Sequence, residues 1–163
     1  MRQLVRANSR DLLSYFARRV PSTDDAADLV SETMVTVWRR VASVPDDDTE
    51  ARMWMFGVAR RVLADHSRSG TRRSRLAERL REELALRPLV VSDDLAFVWD
   101  AVQALPERQR EIVLLVHGDG FSLAEAAQLI HTSGSTIRSR YAAALAALHR
   151  SLAHDDARPV SAP

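Results

Sequence analysis

The side chains best placed for chemistry in this sequence are hydroxyls and arginines that cluster at the start of its last predicted helix. Two helical segments, at 122–130 and 135–152, flank the break His131-Thr132-Ser133-Gly134. The small residues Ala126 and Ala127 would let these helices cross closely. This layout is typical of a helix-turn-helix, whose second helix places polar residues in the major groove, where serine and threonine contact phosphates or base edges and arginine pairs with guanine. The candidate DNA contacts are Ser133, Ser135, Thr136, Arg138, Ser139, Arg140 and Tyr141.

A second set of candidates lies on the arginine-rich segment 53–73. Basic side chains beside an aromatic one can hold a nucleic-acid strand whose bases are unstacked. Trp54 is the aromatic candidate, although a tryptophan at helical spacing is more often part of the core. The set comprises Trp54, Arg60, Arg61, Asp65, His66, Arg68, Arg72 and Arg73.

The charge of the chain is segregated along its length. The total is +1, and all 23 basic residues are arginine. Segment 60–81 holds eight arginines against Asp65 and Glu78, a balance of +6, whereas 93–125 holds seven acids against two arginines, a balance of −5. A basic run is as often a solvated face as a binding surface, so the alternation indicates different partners without naming them.

Catalysis finds little support in the sequence. There is no cysteine, the five histidines are scattered, and no HExxH, GxSxG or glycine-rich phosphate-binding motif occurs. Asp46-Asp47-Asp48 could bind a cation weakly, but a solvated loop is the better interpretation. We therefore expect neither an enzyme nor a bound metal or cofactor. The longest apolar run, 112–116, is far shorter than a membrane span, and no secretory signal is visible, so we expect a soluble cytosolic protein.

Helical periodicity dominates the chain and predicts an all-α fold. In the first half, the first apolar stripe ends at Pro21, a second helix capped at 22–24 runs to Val41, and Thr49 caps a third that ends near Ser67. A turn at 69–71 then precedes another helical piece at 73–86. The predicted apolar positions are Leu12, Leu13, Phe16 and Val20 in the first helix, and Ala26, Leu29, Val30, Met34, Val37, Trp38 and Val41 in the second; Trp99, like Trp38, is expected in a core.

In the second half, Pro106 is placed to begin a helix that the 118–120 segment stops, and Ser122 with Glu125 resembles a capping box. We therefore predict two small helical domains, at 1–86 and 95–153. A linker at 87–94 joins them, and a disordered tail follows at 154–163.

Several blocks of this sequence, in this order, resemble the extracytoplasmic-function (ECF) sigma factors of bacterial RNA polymerase. They are residues 25–33 ending in Val37-Trp38-Arg39-Arg40, residues 52–61 followed by 64–68, Leu105-Pro106-Glu107-Arg108-Gln109-Arg110-Glu111, residues 122–127 and residues 135–140. Together they span most of residues 10–152.

The resemblance implies a role for each segment. Helix 24–41 would dock on the clamp helices of the polymerase β′ subunit through Asp28, Glu32, Arg39 and Arg40. The 50–73 segment would read the promoter −10 element and melt the duplex, and helix 135–152 would read the −35 element while its domain contacts the β flap. The linker would thread toward the polymerase active-site channel. A separate anti-sigma protein would cover the polymerase-binding faces of the free chain, which we expect to be a monomer.

Two departures from the family pattern matter. Tyr141 and then three alanines follow Arg140 where basic residues are usual, so Tyr141 is a candidate substitute for a −35 contact. Asp65 stands where a neutral amide is common nearby. Two other functions remain open on the residues alone. A stand-alone helix-turn-helix regulator would be a dimer on a palindromic duplex, although no dimerisation helix is visible. A helical adaptor would use its basic patch to bind an acidic protein.

Overall fold

The computed structural model describes residues 2–84 and 93–155, and the regular elements in these ranges are all helices. The prediction of an all-α fold is confirmed. The chain divides into two compact units, Met1–Leu89 and Val90–Pro163. Most of the predicted linker, 87–92, and the tail from 156 onward lie outside the described residues.

The first unit packs three helices against one another: α1 (Arg2–Ala17), α2 (Thr23–Arg39) and α3 (Asp48–Leu84), with a short 3₁₀ turn at Val41–Ser43 after α2. Its core is aromatic. Tyr15 meets Phe16 and Phe56 edge to face, with ring centroids 5.2 and 5.5 Å apart. Leu12, Leu29 and Met55 complete the buried centre. Such aromatic pairs add about 0.5–1.5 kcal/mol each beyond their buried area.

The N-termini of α2 and α3 are capped by side chains. Ser22 Oγ accepts hydrogen bonds from the backbone N–H groups of Asp24 and Asp25, at 3.1 and 3.4 Å, so the predicted cap of α2 is confirmed. Asp47 Oδ1 accepts from Glu50 N at 2.9 Å. The cap of α3 is therefore Asp47, and the prediction that Thr49 caps this helix was wrong.

Helix α3 is continuous to Leu84, so the predicted turn at 69–71 and the separate helix at 73–86 were wrong. One glycine in a helix interior costs only about 1 kcal/mol relative to alanine. Arginines flank Gly70 within one turn on both sides, and the segment 76–80 adds leucine, alanine and glutamate; these residues favour a helix and outweigh that cost.

Helix α2 buries a narrower stripe than its sequence predicts. The buried residues are Ala26, Leu29, Thr33 and Val37. Thr33 can be buried because its hydroxyl donates to the carbonyl of Leu29 at 2.7 Å. Trp38 lies about 100° around the helix from Val37 and is 67% exposed. The prediction that Trp38 belongs to the core was therefore wrong.

Two further apolar positions of the first unit were also misplaced. Leu13 on α1 is 40% exposed and Val41, in the 3₁₀ turn, is 50% exposed. Leu13 directly follows the buried Leu12, so its side chain lies about 100° around the helix from the buried stripe. Val41 lies beyond the end of α2, so it no longer follows the periodicity of that helix.

The second unit contains α4 (Asp93–Gln103), α5 (Glu107–Val113), α6 (Leu123–Leu129) and α7 (Gly134–Asp155). Its helices enclose a cluster of buried apolar side chains against which Trp99 packs, so the expectation for Trp99 is supported. Pro106 precedes α5 as its cap residue with extended geometry rather than forming its first turn. After α5 the backbone makes one π-helical turn at Leu114–Gly118, which the sequence did not indicate. The cluster consists of Val102, Leu105, Val113, Leu114 and Ala144.

Candidate nucleic-acid interface

The start of α6, the first helix of the predicted helix-turn-helix, is fixed by two reciprocal hydrogen bonds. Ser122 Oγ accepts from Glu125 N at 3.2 Å and Glu125 Oε2 accepts from Ser122 N at 2.7 Å, which confirms the capping box. His131 adopts a left-handed backbone with φ of 53°, the single non-glycine residue of the described chain with positive φ. Ala126 and Ala127 are buried where the two helices cross. The predicted helix-turn-helix segment therefore forms.

Several hydroxyls at the start of α7 form one hydrogen-bonded cap. Ser133 Oγ accepts from Thr136 N at 3.2 Å and donates to Thr136 Oγ1 at 2.8 Å. The hydroxyl of Ser135 lies 3.0 Å from the same Ser133 oxygen. These bonds satisfy donors that the first turn of a helix leaves open. The structural role of Ser133 and Thr136 is therefore to cap the start of α7.

The outward face of α7 carries the remaining candidates in unequal positions. Ser135, Arg138 and Ser139 are exposed, and Arg140 is half-buried. Ile137 is 1% exposed and anchors the opposite face. The exposed residues share the first two turns, which is the part of a recognition helix that meets base edges.

Tyr141 occupies a different environment from these residues. Its hydroxyl lies 2.8 Å from Nε2 of His117, and the two rings stack with centroids 5.9 Å apart and planes 20° apart. Tyr141 is half-buried and follows Ile137 by one turn, so it borders the packed face of α7. The pair ties α7 to the π-helical turn of the same unit.

Helix α3 divides the second set of candidates between its faces. Arg61, Asp65 and Arg68 are exposed and follow one another at spacings of four and three residues, so they share a face. Trp54 lies two turns before Arg61 and is half-buried. Arg60 and His66 are half-buried and lie on other sides of the helix. Arg72 and Arg73 belong to α3, and their side chains lie outside the described residues.

Asp65 and Arg68 form an ion pair on the exposed face of α3. Arg68 Nη1 donates to Asp65 Oδ1 at 2.9 Å, and the two side chains are 78% and 70% exposed. A solvated pair of this kind contributes at most about 1 kcal/mol. Arg68 can therefore exchange the carboxylate for a phosphate at little cost.

The third set of candidates, on α2, is exposed together with apolar residues, two of which, Trp38 and Val41, the sequence had placed in the core. Asp28, Glu32, Arg39 and Arg40 are all exposed. Beside them lie Val35, Trp38 and Val41, which are 49%, 67% and 50% exposed. We call Val35, Trp38 and Val41 the apolar α2 patch. The four-residue spacing of Leu29, Thr33 and Val37 is the signal that could have located it, since a core stripe along these residues leaves Val35 and Trp38 outside.

The described residues contain no cluster of three or more histidine or acidic side chains able to hold a metal ion. Within the same ranges, none of the helices combines the length and apolar character needed to cross a bilayer.

The chain matches two known protein families in succession. Residues 4–73 match the sigma-70 region 2 family and residues 98–148 match the sigma-70, region 4 family. The chain is 32% identical over 157 residues to the ECF RNA polymerase sigma factor SigC of Mycobacterium tuberculosis, covering 93% of this chain and 83% of SigC. It is 36% identical over 150 residues to the ECF RNA polymerase sigma factor SigF of Caulobacter vibrioides, covering 86% and 75%.

The fold is similar to a solved structure as well. The sigma factor RpoE of Bartonella quintana, solved in complex with the anti-sigma factor NepR, superposes with a TM-score of 0.68 over 93% of this chain and 95% of RpoE, at 24% identity.

Proposed function

The chain belongs to the sigma-70 family as an ECF RNA polymerase sigma factor, and we propose that its two units divide promoter recognition between them. The first unit, in a domain at 1–86, reads the −10 element, and the second, in a domain at 95–153, reads the −35 element. The observation that carries this proposal is that region 2 and region 4 fall on separate compact units. Residues 87–94 then join the two readers.

The −35 element is read by α7. Its capped first turn presents Ser135, Arg138 and Ser139 on one exposed face, which suits insertion into a major groove. Ser133 and Thr136 fix the cap. Tyr141 supports the helix through His117 instead of replacing a basic contact.

The −10 element is read by the exposed face of α3. Arg61 and Arg68 supply charge along one face, and Trp54 supplies an aromatic surface two turns earlier. Stacking an unpaired base on an aromatic ring is worth about 1–3 kcal/mol, which favours the melted over the duplex form. Asp65 holds Arg68 until the strand arrives. Arg60 and His66, on other sides of α3, contribute little to strand binding, and Arg72 and Arg73 are proposed as further contacts along the same helix.

The polymerase docks on α2. The apolar α2 patch supplies buried contact area, and the charged residues around it supply orientation: Asp28, Glu32, Arg39 and Arg40. We assign this surface to the β′ clamp helices, and a surface of the second unit to the β flap. Tethering both readers to one enzyme raises the effective concentration of each on the DNA, so modest and salt-dependent contacts suffice.

Before polymerase binds, the apolar α2 patch needs another cover, because exposed apolar surface of this kind invites unwanted association. We propose that a separate anti-sigma protein covers it and that the chain is otherwise monomeric. Since its target is RNA polymerase, the chain works in the cytoplasm, as an initiation factor without catalytic activity or cofactor of its own.

Run-off transcription tests the proposed function. Purified chain mixed with core polymerase should co-elute with it and direct a discrete transcript from genomic promoter fragments. A dimer that protects a palindromic duplex without polymerase would instead support the stand-alone regulator. A chain that neither joins core polymerase nor directs a transcript, and that binds an acidic protein through Arg61 and Arg68, would support the adaptor.

A further inference from the structure

Gly134, the first residue of α7, lies against the guanidinium of Arg138. A Cβ atom added to Gly134 would lie 3.3 Å from Arg138 Nη1 and 4.0 Å from Arg138 Cζ. By contrast, no described atom lies within 4 Å of a Cβ added to Gly57 or Gly120. Gly134 is thus the glycine among these three whose missing side chain makes room for a neighbour.

The backbone at Gly134 does not itself require glycine. In the described chain, positive φ angles occur at His131 and Gly120, and Gly134 has an ordinary backbone conformation. Gly134 is followed by an uninterrupted helix, so no turn at this position requires a glycine. What glycine provides at this position is therefore space for the guanidinium and not conformational freedom.

The direction of Arg138 follows from helix geometry. Long side chains on a helix point back toward its N-terminus and cover the residue four positions earlier. For Arg138 that residue is Gly134, in the first turn of the helix. This is the end of a recognition helix that enters the groove, so the guanidinium is carried toward the bases.

The other polar groups of the first turn are already engaged. Ser133 bonds to Thr136, and the Ser135 hydroxyl lies within hydrogen-bond distance of Ser133. Arg138, in the second turn, is the long, exposed donor whose guanidinium reaches this turn from outside the cap network. Guanine, with its paired N7 and O6 acceptors, is the base that an arginine fork matches.

We propose that Gly134 is a positioning residue that lets Arg138 discriminate a guanine of the −35 element. This inference rests on the proposed function, in which α7 reads the −35 element. The methyl group of alanine at position 134 would move the guanidinium by only a few tenths of an ångström. A larger side chain such as leucine would occupy its space and displace it from the first turn. DNA binding would survive through phosphate contacts, but preference for guanine would fall.

A stability measurement separates this role from a structural one. Leucine, like alanine, favours a helix more than glycine does, so Gly134→Leu should leave the melting temperature unchanged or raise it. A residue with a purely structural role would keep guanine preference whenever stability is kept. Here the two properties should move apart.

The experiment starts from a promoter fragment that the holoenzyme itself has selected. Each −35 guanine of this fragment is replaced in turn by 7-deazaguanine, which lacks the N7 acceptor, and the affinity of the holoenzyme for each fragment is measured. At one position the wild type should lose about tenfold in affinity, as expected for a bidentate contact. The loss should stay close to tenfold in Gly134→Ala, and approach none in Gly134→Leu and Arg138→Ala. Gly57→Ala, a glycine replacement in the other unit, should keep the full loss.

Each outcome decides the proposal. Gly134→Leu with the wild-type tenfold loss and a normal melting temperature would overturn it. So would a wild-type holoenzyme that is indifferent to 7-deazaguanine at every position. A wild-type chain that forms no holoenzyme, or a holoenzyme that selects no promoter, would instead refute the proposed function on which this inference rests.

Discussion

Replacing Trp38 by alanine should separate polymerase binding from folding. The side chain is 67% exposed on the solvent face of α2. For a tryptophan of about 250 Å², this leaves about 170 Å² available to a partner. Full burial of that area at about 25 cal/mol per Å² would be worth about 4 kcal/mol.

Only part of this free energy should appear as affinity, because docking also immobilises side chains and desolvates polar groups. A loss of about 2–3 kcal/mol is typical of an interface tryptophan and corresponds to about 30- to 150-fold in Kd. The stability of the free chain should change by no more than about 0.5 kcal/mol, since Trp38 contributes little to the core.

Fluorescence anisotropy of labelled chain titrated with core polymerase gives the affinity, and thermal unfolding gives the stability. Leu13→Ala provides a matched control, because Leu13 is an exposed apolar residue of the same unit on α1, outside the apolar α2 patch. It should bind core polymerase with wild-type affinity. A folded Trp38→Ala protein with unchanged Kd would refute the reasoning, as would an equal loss in both variants.

Three further substitutions test individual contacts. Arg61→Ala should slow promoter opening by about five- to tenfold, measured by 2-aminopurine fluorescence at the −10 element. Replacing the half-buried Arg60 by alanine should change the opening rate by less than about twofold. The opposite order would contradict the assigned face. Tyr141→Phe removes the hydrogen bond to His117 and should destabilise the second unit by about 0.5–1.5 kcal/mol in urea unfolding. Its affinity for −35 duplexes should stay within about twofold of the wild type. A large affinity loss at constant stability would make Tyr141 a DNA contact. Ser122→Ala removes the α6 cap and should cost about 0.5–2 kcal/mol in the same assay, and an unchanged midpoint would show that the capping box carries no stability.

Local signals were enough to locate most helices. The Ser122 capping box, the break before α7 and the Ser22 cap each depend on residues within one turn, so the sequence contains their whole cause. The same holds for the first-turn cluster of α7. Its internal hydrogen bonds, however, depend on side-chain rotamers. The sequence therefore could not show that Ser133 and Thr136 belong to the helix cap while Arg138 does not.

The errors came where tertiary packing decides the outcome. Thr33 looks polar in sequence, yet its hydroxyl bonds within the helix and lets it lie in the core between Leu29 and Val37. Trp38 lies about 100° around the helix from this stripe and is therefore exposed. Gly70 looks like a helix end, but its neighbours carry α3 through it. The contact between His117 and Tyr141 joins residues that are 24 positions apart, and periodicity does not report on contacts of that kind.

Permanganate reactivity of promoter thymines tests the central claim most directly, because it reports strand opening by the assembled complex. With chain and core polymerase together, thymines of the −10 element should become reactive, and neither component alone should have this effect. Thymines that stay unreactive in the presence of both, or that react with the chain alone, would contradict the account of two readers held on their DNA by RNA polymerase.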